Sequence, residues 1–175
     1  MPFNKLTKWC YIGHIMNKSA LLTKELAEEA FKTVEKSIQD FLKLEKSWRD
    51  GFHVVILDPR AKFGSVSFED AILFEHSINP EKWDVDLKTL TRKKAMVAWE
   101  HDMDTHIVQQ QRPYLYQKGD NKYAGAVVHQ GIVVSVAAIQ WYFDELFSVW
   151  IAAACRALAI EKMEQIIREE DRHFV

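Results

Sequence analysis

The chain is predicted to be an α+β protein, a two-layer arrangement in which helices pack on an antiparallel sheet. Three observations carry this. Apolar residues recur at helical spacing over residues 23–45, β-rich runs come in pairs joined by short turns, and a long apolar helix closes the chain. The 175 residues, 48% hydrophobic with six Gly and four Pro, fit one domain with one core, a core of about residues 22–168 preceded by an N-terminal extension over 1–21.

In the first helix Leu26, Ala30, Phe31, Val34, Ile38, Phe41 and Leu42 lie three or four residues apart, with Lys and Glu on the other face. Thr23 is a suitable N-cap, and Glu25 meets the positive end of the helix dipole. The run Phe52 to Leu57 reads as a strand stopped by Asp58-Pro59. A second strand is expected at about Lys62 to Phe68, antiparallel because the connection is too short for a parallel crossover. Residues 69–86 read as an irregular connection with one helical turn near Asp70 to Glu75.

A second helix is expected from Leu87 to His106, with Met96, Trp99 and Met103 on one face, followed by a polar loop from Gln109 to Asn121. Tyr123 to Val128 and Ile132 to Ile139 form a hairpin through His129-Gln130-Gly131, where Gly131 supplies the positive φ of a tight turn. Asp144 is the expected N-cap of the last helix, Glu145 to Arg168, whose first half is apolar on nearly every side and so calls for cover all round. Its alanines, Ala152 to Ala154, Ala157 and Ala159, would let it approach the sheet closely. The strand Ile132 to Ile139 is apolar on both faces, which calls for another helix or another subunit on the second face and predicts a homo-oligomer.

Charge narrows the partners. With 23 Lys+Arg against 25 Asp+Glu, the net charge of -2 gives no reason to expect nucleic acid or an anionic membrane surface. No apolar run approaches the roughly 20 residues of a membrane helix, and the basic-then-apolar start of the chain is broken at Gly13-His14 before it makes a secretion signal. Cys10 and Cys155, far apart and outside any metal-binding spacing, read as reduced thiols of a cytoplasmic protein. Asn17-Lys18-Ser19 fits a glycosylation sequon by chance.

The stretch His101-Asp102-Met103-Asp104-Thr105-His106 is rich in metal-ligand types. On a helix its two histidines lie about 140° apart around the axis, so they do not chelate from one side, and no metal site is expected. His129 in the hairpin and His53 in the first strand carry imidazoles that could ligate an iron, or serve as a turn residue and a satisfied core residue. Trp141, Tyr142 and Phe143, placed in a loop before Asp144, could wall a planar-ligand pocket, anchor an interface or cap the sheet edge. Cys155, set among alanines, reads as a small buried hydrophobe. No nucleotide-binding loop, serine-hydrolase elbow or zinc-protease motif occurs, so any catalytic residue stays unassigned.

Several segments in this order are distinctive. Leu22-Thr23 opens an Ala-containing helix, a strand ends in Val54-Val55-Ile56-Leu57-Asp58, a helix carries Lys93-Lys94-Ala95-Met96, and the hairpin runs Gly125-Ala-Val-Val-His-Gln-Gly131-Ile-Val-Val-Ser-Val. Over about Leu22 to Leu158 the chain resembles the GlcG-like family, also called the HbpS-like or haem-degrading family. The resemblance implies a profilin- or roadblock-like fold, oligomers, haem binding in some members and attachment to corrinoid enzymes in others. Lys94 falls on the family's Lys-Ala helix, where it could meet a propionate or phosphate, a solvated helix face being the plainer alternative. Where the family has small residues before the last helix, this chain has Ile139-Gln140-Trp141-Tyr142-Phe143. The function expected is a cytoplasmic, oligomeric small-molecule-binding or interaction module with haem as the cofactor implied. An enzyme or accessory subunit of the same fold and a ligand-free structural oligomer are the alternatives.

Overall fold

A computed structural model describes residues 18–44 and 50–170. Most of the N-terminal extension, Cys10, the Asn17 sequon position and the end of the tail lie outside these residues. Within them the elements run α1 (Lys24–Leu44), β1 (Phe52–Leu57), α2 (Phe68–Ala71), β2 (Ile72–Ile78), α3 (Leu87–His101), α4 (Thr105–Gln111), β3 (Ala126–His129), β4 (Ile132–Ala137) and α5 (Trp141–Glu170). Single 3-10 turns at Pro80–Lys82 and Pro113–Leu115 bridge the loops. The α+β architecture expected from the sequence is the one observed. The four strands are all antiparallel, in the order β2-β1-β4-β3.

β1 and β4 are central and buried along their whole length, which is why their sequences are apolar without alternation. On one face Val54, Ile56, Val134 and Val136 meet α1, through Ala30, Phe31 and Ile38, and α5, through Phe147, Ile151 and Cys155. On the other face Val55, Leu57 and Val133 meet α3 through Ala95, Ala98 and Trp99. The two apolar faces of β4 are therefore both covered within one chain. α3 fills the place for which a second subunit was the alternative, and the strand no longer argues for an oligomer.

Five local expectations are corrected. The second strand is not at 62–68: Asp58 accepts the Arg60 N–H in a tight turn, Gly64 takes φ 79°, and Ser67 caps α2, so the chain reaches its partner ten residues later at β2. β2 is an edge strand whose faces differ. Phe74 and His76 turn to Phe31 of α1, while Glu75 and Ser77 bond His53, and this mixture of apolar and charged residues hides the strand from a hydrophobicity scan.

The expected Leu87–His106 helix breaks at Asp102, which adopts the left-handed conformation (φ 49°) and ends α3; α4 restarts at Thr105. The hairpin turn is tighter than expected, with Gln130 (φ 52°) and Gly131 (φ 87°) both left-handed as a two-residue type I′ turn needs.

Finally, α5 begins at Trp141, not at Asp144, so Trp141, Tyr142 and Phe143 are helical. The cover all round expected for its apolar half is also absent. Tyr142 and Val149 are exposed, and of the alanines Ala152 is buried against the core while Ala153 and Ala157 face outward. Thr23 does cap α1, accepting the Leu26 N–H at 3.3 Å.

Candidate functional site

Where α3 passes the end of β4 and the start of α5, a cleft of about 370 Å³ opens. Leu87, Leu90, Ile139 and Trp141 line its walls, Tyr123 stands at the rim, and Lys94 and Asp144 lie among the groups beneath. The polar floor is an ion pair. Lys94 Nζ is 2.7 Å from Asp144 Oδ2, and the two side chains are only 4% and 5% exposed.

Charges so buried persist only with near-complete hydrogen bonding, and here that is supplied. Asp144 Oδ1 accepts the N–H groups of Ala138 and Ile139 at 2.9 and 3.1 Å. Asp144 thus binds the chain just ahead of α5 rather than capping the helix in the expected way. Lys94 also donates to the Val136 carbonyl at 3.3 Å. Two of its three N–H donors are so used.

Gly125 makes the arrangement sterically feasible. With φ 129° it lies in a region that favours glycine, and a Cβ there would fall 2.7 Å from Asp144 Cβ and 3.0 Å from Lys94 Nζ. Its carbonyl accepts from Ser148 Oγ at 2.7 Å, and its N–H donates to Thr105 Oγ1 at 2.9 Å. β3, α3, α4 and α5 are tied together around the pair.

Of the residues expected to bind a ligand, Lys94 and Trp141 line this cleft and the other four do not. His53 is buried on β1, with Nε2 2.9 Å from Glu75 Oε1 and Nδ1 2.8 Å from Ser77 Oγ. Its Nε2–H donates to the carboxylate and its Nδ1 accepts the hydroxyl proton, so neither nitrogen is free for iron. Burial holds it below the usual imidazole value of 6.5, against the opposing pull of Glu75. His129 ends β3 opposite Ile132, half-exposed at the hairpin turn and outside the cleft. Phe143 packs edge-on against Phe41 of α1, with ring centroids 4.9 Å apart, and Tyr142 is exposed.

The metal-like stretch disperses. Asp104 accepts the Val128 N–H and His106 Nδ1 bonds Glu145 Oε2 at 2.8 Å; among the described residues no group of three His, Cys, Asp or Glu could hold a metal ion. Burial pushes the Cys155 thiol up to about 12, which keeps it un-ionised and inert.

Asp144 and Gly125 are the site residues that sequence reasoning missed. Asp144 has the residue type of a helix cap and Gly125 that of a turn, and only their three-dimensional meeting with Lys94 gives them another role. A second, more open cleft of about 460 Å³ lies between α3 and the loop at 118–120, lined by Arg92, Lys93 and Met96. The Arg92 guanidinium is already engaged by Glu75 and Glu69. No protein-family model matches the chain, and no curated protein or solved structure matches it. Among the described residues no helix is long and apolar enough to cross a membrane.

Proposed function

We propose that this protein is a small-molecule-binding module whose ligand occupies the cleft between α3 and the β4–α5 junction. The observation that carries the reading is the buried Lys94–Asp144 pair at the floor of a cleft whose lining is about evenly polar and apolar. Ligand sites combine apolar walls with a few fixed polar groups, and a volume of about 370 Å³ falls at the small end of their range. Lys94, a cation with two of its three N–H groups bonded within the protein, would favour a ligand with a hydrogen-bond acceptor, and Leu90, Ile139 and Trp141 an apolar or aromatic body. The ligand class is therefore a compact organic molecule bearing a carbonyl, hydroxyl or carboxylate.

Haem, the ligand that the GlcG-like resemblance implies, is the less favoured occupant, because no imidazole lines the cleft. An enzyme of this fold is also less favoured. Lys94 and Asp144 bond to each other and to backbone rather than converging on an open point as a reacting acid and base would.

The test is a titration series with benzoate, indole-3-acetate and haemin, using the parent protein and Leu90→Trp, which fills the cleft without touching the ion pair. Saturable binding of a small acid tighter than about 1 mM, roughly -4 kcal/mol, weakened at least tenfold by Leu90→Trp, supports the reading. No binding by any of the three, or binding indifferent to Leu90→Trp, refutes it.

A further inference from the structure

One face of α5 follows a pattern that neither the fold nor the cleft uses. Tyr142, Leu146, Val149, Ala153, Arg156, Ile160, Met163 and Ile167 succeed one another at alternating steps of four and three residues, the spacing of a coiled-coil seam. The opposite side of the helix, through Phe147, Ile151, Ala152 and Cys155, is the side buried in the core. Four of the nine large hydrophobic side chains exposed among the described residues stand on this seam: Tyr142 at 51%, Val149 at 37%, Ile160 at 39% and Ile167 at 52%. An ordinary surface helix scatters such residues and does not align them.

We infer that this seam is the interface of a two-fold dimer, in which α5 packs antiparallel against α5 of a second copy of this chain. Two features select a second copy. The seam is complementary to its own reverse: antiparallel pairing about a point between Ala153 and Arg156 sets Tyr142 against Ile167, Leu146 against Met163, Val149 against Ile160, and the smallest residue, Ala153, against the longest, Arg156. Arg156 is the one charged residue on the seam, and its guanidinium is drawn aside by the Gln130 side chain, with Nε 2.6 Å from Oε1.

The area also suffices. From Tyr142 to Ile167 the seam is about 38 Å long, and burying the outer half of a helix 10–12 Å across gives roughly 600–700 Å² per copy. The total of roughly 1,200–1,400 Å² enters the range of specific interfaces. This dimer rests on α5 and not on the two-sided strand β4, and it leaves the cleft reading independent of it.

The experiment is the solution mass of the full chain by sedimentation equilibrium at tens of micromolar, with three variants at exposed seam positions. The parent is expected at twice the 20.4 kDa chain mass. Val149→Lys and Ile160→Glu are each expected to give monomers. The double variant is expected to restore the dimer, because antiparallel pairing sets the new ammonium at position 149 of one copy against the new carboxylate at position 160 of the other. Circular dichroism on each variant confirms that the helix content is kept. A monomeric parent overturns the inference, including the case in which deleting residues 1–17 turns a monomer into a dimer and shows that the chain's own N-terminal segment covers the seam. Single variants that remain dimeric, or a double variant that stays monomeric, overturn it as well.

Discussion

The two faces of the sheet are built on different physics. The α1/α5 face holds Phe31, Phe52, Phe147, Ile151, Val54, Val134 and Val136, and its stability is burial of apolar surface. The α3 face has apolar contacts too, but polar groups are threaded through them. Ser135 Oγ donates to the Thr91 carbonyl, Trp99 Nε1 to the Ala61 carbonyl, His53 meets Glu75, and Lys94 meets Asp144. Hydrogen bonds fix direction in a way that apolar packing does not. The contrast teaches that apolar packing dominates on one side of the sheet while directional polar bonds are concentrated on the other.

The contrast breaks most visibly under truncation of one residue on each side. Phe147→Ala on the apolar face and Asp144→Ala on the polar face are each expected to cost about 3–5 kcal/mol in urea unfolding, the first by leaving a cavity and the second by stranding a buried ammonium. A second substitution tells the causes apart. Adding Lys94→Met to Asp144→Ala should recover part of the loss, since the uncompensated charge is gone, although the bonds that Asp144 accepts from the Ala138 and Ile139 N–H groups stay lost. Lys94→Met alone should cost less than Asp144→Ala, at roughly 1–3 kcal/mol, because the carboxylate keeps those two donors. If the two single variants cost the same and the double shows no recovery, the pair is not the centre of the polar face.

A smaller effect sharpens the comparison through pH. Burial holds His53 below 6.5, so over this interval the unfolded chain binds the proton more readily than the folded one. The contribution is complete above pH 6.5 and is lost as pH falls through the depressed folded value. The stability of the parent should therefore fall on the acid side, and His53→Gln should flatten that part of the profile while Phe147→Ala shifts the whole profile without changing its slope. Smallest of all, Gln130→Asn in the hairpin turn should gain up to about 0.5 kcal/mol, because Asn tolerates the left-handed conformation better, at the expense of the bond to Arg156.

Legibility in the sequence followed the same division. α1, β1 and the β3–β4 hairpin were readable because their residues face one apolar environment or flank a turn with its own chemistry. β2 was displaced by ten residues because an edge strand that shows Glu75 and Ser77 to polar partners and Phe74 to the core carries no simple period. The break in α3 was hidden because Asp102 enters the left-handed region without a glycine to announce it. Lys94 and Trp141 were found at the cleft, the first through resemblance and the second through aromatic clustering. Asp144 and Gly125 were not, since a cap residue and a turn glycine gain their role from contacts across elements. His53 and His129 drew attention as imidazoles, and nothing in their spacing distinguishes a ligand from a histidine bonded within the fold, as His53 is, or placed at a hairpin turn, as His129 is.

The most direct test of a polar face that presents a binding cleft is amide chemical-shift mapping of the ¹⁵N-labelled protein against a library of small aromatic acids and amides. The expected result is that the fragments that bind move the amides of Leu90, Tyr123 and Ala138 to Trp141 together, and that Gly125→Ala abolishes the response while leaving the shifts of α1 in place. Shifts that gather instead around Arg92 and Lys118, or along α5, or no shifts at all in the cleft, would contradict it.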